Sequence, residues 1–142
     1  MSKGFITLGI DTEQDKIKYS HALALSIKQS DPKSKFCLVV DKDYSDKVPT
    51  EYHDAFDFIV ELPFGNTAYK DGFHGMNLWQ LLHCSPFEET IYLDSDTLIK
   101  NINMEILWNL FETYDVAISP IARTYRNYLT DKTHKFDIEL HY

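Results

Sequence analysis

Asp94-Ser95-Asp96 presents two carboxylates one residue apart, directly after the apolar run Thr90-Ile91-Tyr92-Leu93. In an extended chain alternate side chains point the same way, so Asp94 and Asp96 are expected to converge. Hard divalent cations such as Mg²⁺ and Mn²⁺ prefer oxygen ligands in octahedral array and commonly combine one or two carboxylates with phosphate oxygens and water. The pair thus has the chemistry to hold a cation on a diphosphate. Ser95 is small enough to leave room for a ribose or a phosphate and can donate a hydrogen bond. A polar strand end uses the same residue types, so the three residues alone do not separate the two readings.

The flanking chain must deliver this turn to a ligand. Phe5 to Ile10 is a short apolar run that passes into Asp11-Thr12-Glu13-Gln14 and reads as a buried strand entering a loop. Asp15 to Gln29 has helical spacing, with Ile17, Ala24 and Ile27 on one stripe and Leu23 beside them; Pro32 stops it. Phe36 to Val40 is a second buried strand. Strand, helix, strand at this spacing is a βαβ unit, and a parallel sheet follows. Val48 to Ala55 suggests a short helix, Phe58-Ile59-Val60 the centre of a third strand, and Pro63 to Gly75 a loop. A helix is expected over Asn77 to His83, using Leu78, Leu81 and Leu82. The strand carrying Asp94 comes next, then a helix from Met104 to Glu112 and a fifth strand at Val116 to Ser119. The expected class is α/β, a mainly parallel sheet flanked by helices. In such sheets ligands bind beyond the carboxyl ends of the strands, where the strand order reverses. Gly9-Ile10-Asp11 and Asp94-Ser95-Asp96 both lie at carboxyl ends, and neighbouring strands would make them face one crevice.

Composition narrows the function classes. The 142 residues, 44% of them apolar, suit a single domain of residues 1–142 with a real core. A formal net charge of −8 argues against a general nucleic-acid or anionic-membrane binder, which needs excess Lys and Arg. A phosphate-bearing ligand is compatible with that charge when a metal ion supplies the positive counterpart. Cys37 and Cys84 have no CxxC partner and read as buried thiols, which fits a reducing compartment. No membrane-length apolar stretch or signal peptide is visible, so a cytoplasmic location is expected.

Leu78-Trp79-Gln80-Leu81-Leu82, Ser85-Pro86-Phe87-Glu88-Glu89 and Ile91-Tyr92-Leu93-Asp94-Ser95-Asp96-Thr97-Leu98 together resemble the region through the Asp-x-Asp motif of GT-A (Rossmann-like) glycosyltransferases, especially the family 8 and glycogenin-like group. Phe5 to Asp11 looks like that group's first strand, Ala22 to Ile27 like its first helix, and Ile102 to Leu110 like the helix after the motif. The resemblance implies that Asp94 and Asp96 bind Mn²⁺ or Mg²⁺. It places Thr7, Leu8, Gly9, Asp11, Asp94, Ser95 and Asp96 around a nucleotide-diphosphate sugar, most commonly a UDP-sugar. The implied reaction is transfer of a hexose to an acceptor with retention of anomeric configuration. Relative to the family the chain reads as incomplete at its C-terminus, with residues 120–142 a poorly defined tail in which neither His134 nor His141 is marked as a metal ligand.

Two further readings accompany this one. A shortened GT-A domain would serve as a non-catalytic metal-nucleotide module, with another subunit covering an exposed sheet edge. A phosphotransferase of the haloacid dehalogenase class would use Asp94 as nucleophile and Asp96 as acid/base; the late position of the motif and Leu98 speak against it. Trp79, Tyr92, Trp108 and Phe111 have the spacing of core residues. Arg123, Tyr125, Arg126, Tyr128 and His74 are secondary ligand-contact candidates, for each of which a surface role is the simpler expectation.

Overall fold

The computed structural model describes residues 2–10, 15–67, 74–100 and 103–115. Two compact units are present, Met1–Met104 and Glu105–Tyr142. The first contains four strands: β1 (Lys3–Leu8), β2 (Phe36–Val40), β3 (Phe58–Glu61) and β4 (Glu89–Tyr92). They form a parallel sheet in the order β3-β2-β1-β4, with Phe5 opposite Phe36 on one side and Ile91 on the other. β2 is buried along its whole length, as its unbroken apolar sequence requires between two covered faces. The fold class is α/β, Rossmann-like, as the alternation of strands and helices implied.

Alternation along the strands divides the core into two layers. On one face Phe5, Phe36 and Leu38 meet helix α1 (Asp15–Ser30), whose Ile17, Leu23, Ala24 and Ile27 are all buried. Phe36 stacks towards Phe5 and Phe56. On the other face Ile6, Leu8, Ile10, Cys37 and Val39 pack with Leu62, Leu81 and Phe87. Helix α1 stops where Asp31 folds its carboxylate back onto the Lys33 amide and the Ser34 hydroxyl, just as Pro32 withdraws a backbone donor. Cys37 and Cys84 are free thiols; burial, with the neighbouring Cys84 second, pushes Cys37 up to about 12.

Two local expectations are corrected. The segment expected as a helix over Asn77 to His83 is a 3₁₀ helix, His74–Gln80, followed by a single α turn, α2 (Leu81–Cys84). Its inward positions are Asn77, Gln80 and Leu81, while Leu82 is 89% exposed. The reason is hydrogen bonding. Gln80 accepts from the Phe64 amide and donates to the Gly65 carbonyl, and Asn77 accepts from the Thr67 amide, so the two amides satisfy a loop that would otherwise bury bare backbone. Trp79 is accordingly turned outward, 46% exposed and stacked on Phe64, rather than in the core. The strand before Asp94 ends at Tyr92, and the chain then enters the turn expected there.

Between β2 and β3 the expected short helix is a 3₁₀ helix, Thr50–Ala55, preceded by another at Ser45–Lys47. Helix α3 (Met104–Asn109) continues as a 3₁₀ turn, Leu110–Glu112, and the Trp108 and Phe111 rings pair at 5.9 Å. No helix among the described residues is long and apolar enough to cross a membrane. The fifth strand expected at Val116 to Ser119 and the tail residues Arg123, Tyr125, Arg126, Tyr128, His134 and His141 lie outside the described residues.

Candidate functional site

Strand order determines where a ligand has room. From β1 the chain moves outward through β2 to β3, then returns to place β4 on the opposite side of β1. The reversal therefore falls between β1 and β4, and the loops leaving their carboxyl ends diverge there. These loops begin at Gly9-Ile10 and Leu93-Asp94. The two segments singled out in the sequence are thus neighbours at the switch point of the sheet.

The Asp-Ser-Asp segment is a hydrogen-bonded turn, closed by the Thr97 amide on the Asp94 carbonyl at 3.0 Å. Asp94 and Asp96 are exposed and Ser95 is buried. The turn expected after the apolar run is present, so the pair does not have the extended geometry from which convergence was argued; both acids are exposed and the small serine is buried.

Three hydroxyl groups hold this turn. Thr7, fully buried in β1, donates to the Leu93 carbonyl at 2.7 Å, directly before Asp94. Beyond the turn, the Ile99 amide donates to Ser26 Oγ at 3.0 Å, and Ser26 itself donates to the Leu23 carbonyl inside α1. The third is Tyr92, whose hydroxyl donates to Asp94 Oδ1 at 2.5 Å while its ring packs against the core cluster. Burial first, then the Asp94 hydrogen bond and the charges of Asp94 and Asp96, pushes the Tyr92 phenol well above its ordinary value, so it remains a donor.

Two other sequence candidates lie at the carboxyl end of β1. Leu8 is 8% exposed and part of the core. Gly9 donates its amide to the Val39 carbonyl at 2.8 Å. Its lack of a side chain serves packing: a Cβ would come within 2.7 Å of Leu38 and 3.4 Å of Ile17. Asp11 lies outside the described residues. Sequence reasoning missed Ser26 and the polar role of Tyr92. The two-residue offset from Asp94 was the available signal for Tyr92; for Ser26, set between apolar helix positions, there was none.

Carboxylate oxygens are the ligand type that hard divalent cations prefer. Two exposed carboxylates on one turn, Asp94 and Asp96, are the oxygens on offer, and among the described residues no group of three or more His, Cys, Asp or Glu side chains could hold a metal ion.

No family model matches the chain, and no curated protein matches it either. Among solved structures, the S. aureus TarS 1–349 crystal structure is similar to it with a TM-score of 0.48 and 18% sequence identity. The match covers 79% of this chain and 32% of that one, so the chain spans about a third of the TarS structure.

Proposed function

We propose that the chain is the nucleotide-sugar-binding part of a metal-dependent GT-A glycosyltransferase that takes a UDP-sugar as donor and transfers its hexose to an acceptor with retention. The observation that carries this reading is the placement of Asp94 and Asp96, exposed on one tethered turn at the β1/β4 switch point. Asp94 and Asp96 hold the cation, and the ends of β1 and β4 border the nucleotide. Mn²⁺ or Mg²⁺ bound there supplies Lewis-acid stabilisation of the departing diphosphate. With a formal net charge of −8, the chain gains from the metal the positive charge that a diphosphate requires.

Calorimetry tests the site. Wild-type chain is expected to bind UDP only with Mn²⁺ or Mg²⁺ present, and Asp94→Ala and Asp96→Ala each to abolish that binding without loss of the folded circular-dichroism spectrum. Binding by the double variant equal to wild type would sink the assignment. Release of nucleoside diphosphate from a panel of sugar donors tests transfer separately; metal-dependent binding with no release would identify a binding module in place of an enzyme.

A further inference from the structure

We propose that the exposed stripe of Ile106, Leu110 and Tyr114 is the docking face for a later segment of the same chain, residues 121–136, matched to it by charge and by apolar spacing. Ile106 in α3 and Leu110 in the 3₁₀ turn that continues it stand one helical turn apart. The Tyr114 amide donates to the Leu110 carbonyl at 2.9 Å, which adds one more turn and brings Tyr114 into line. All three residues are exposed, while Leu107, Trp108 and Phe111 on the adjoining face are half-buried. A helix apolar on both faces has its place between partners, and one of this length has little stability of its own in water. The stripe is thus a contiguous apolar surface that calls for a cover.

Charge selects the occupant. Residues 103–115 contain the acids Glu105, Glu112 and Asp115 and no Lys or Arg. A second copy laid on the same face would crowd like charges together, at a cost that rises as water is excluded. Residues 121–136 have the opposite balance: Arg123, Arg126, Lys132 and Lys135 against the single acid Asp131, inside a chain whose formal net charge is −8. Their apolar residues Ile121, Tyr125, Tyr128 and Leu129 recur at the three- and four-residue spacing that gathers side chains on one face. Both partners belong to the second compact unit, Glu105–Tyr142. The segment follows Tyr114 closely in the chain, so the loop-closure cost is small and the tether gives it an effective concentration of about millimolar, which a separate molecule must exceed.

The experiment is amide hydrogen exchange, read by mass spectrometry, on the full 142-residue chain, with a synthetic peptide of residues 121–136 as the unprotected reference. In the wild type, amides of 121–136 are expected to exchange at least about tenfold more slowly than in the peptide. Ile106→Ser with Leu110→Ser removes the apolar face and should return them to the peptide rate, while the amides of β1 and β2 keep their protection and show the fold intact. Arg123→Glu with Arg126→Glu leaves α3 untouched and should do the same, which carries the test if the first variant unfolds. Three results overturn the proposal: wild-type exchange at the peptide rate, protection that survives either pair of substitutions in a folded chain, or protection lost on dilution together with dissociation of a dimer seen by sedimentation. The last assigns the stripe to a second copy.

Discussion

Asp57 joins three pieces of chain at the amino-terminal end of the sheet. Its carboxylate accepts from Lys35 at 2.7 Å and from the Phe36 amide at 3.0 Å, and pairs with Lys28 of α1 at 3.1 Å. Burial acts to raise this carboxyl, but the Lys35, Phe36 and Lys28 interactions together hold it below its ordinary value. A depressed carboxylate stabilises the fold above its unfolded pKa, and that contribution is lost as pH falls through the folded value. Asp57→Asn should therefore cost about 1–2 kcal/mol at pH 7, less than a dry charged bond because Lys35 is open to water. The difference from wild type in denaturant titrations should shrink steadily below about pH 4. Nothing in the sequence marked Asp57, because its partners come from β2 and α1 and meet only in three dimensions. Asp94 and Asp96 were legible for the opposite reason: two acids after an apolar run announce a strand end locally, whatever the rest of the chain does.

Elements with one dominant apolar pattern were read correctly from sequence, and those whose inward face is polar were not. The α1 stripe of Ile17, Leu23, Ala24 and Ile27 and the uninterrupted β2 each name their buried face. The Asn77–Gln80 segment defeated the same logic, since its buried residues are amides committed to the Phe64–Thr67 backbone while Leu82 and Trp79 point outward. β4 ends where the two acids announced a turn, although Leu98 and Ile99 resume an apolar pattern beyond it. Packing of β4 onto β1 depends on a bare backbone at Gly4, where a methyl group would overlap the Phe87 ring that precedes β4. Gly4→Ala is expected to lower stability by about 1–3 kcal/mol through overpacking. Thermal melts check it, and Gly4→Ala with Phe87→Leu should recover part of the loss.

At the scale of the whole molecule, charge and topology act together. A net charge of −8 directs the chain away from polyanions unless a cation intervenes, and the parallel sheet places its acidic turn where the strand order reverses. The order β3-β2-β1-β4 could not be read from sequence, because parallel crossovers permit β4 on either edge and the deciding contacts are distant. Thr7 and Leu93, which join β1 to the turn, are 86 residues apart in the chain. β1, β2 and β3 instead meet across short separations. Loop-closure entropy grows with separation, so the β1–β4 seam is expected to close late in folding and to open early in unfolding. Thr7→Val, which removes the hydroxyl on the Leu93 carbonyl and keeps the shape, should then speed unfolding while leaving the refolding arm of the chevron nearly unchanged. A slowed refolding arm would place the seam in the nucleus instead. Late closure gives the acidic turn a history as well as a position: the Thr7 hydroxyl is made early and must wait for the Leu93 carbonyl 86 residues on before it can hold the start of the turn.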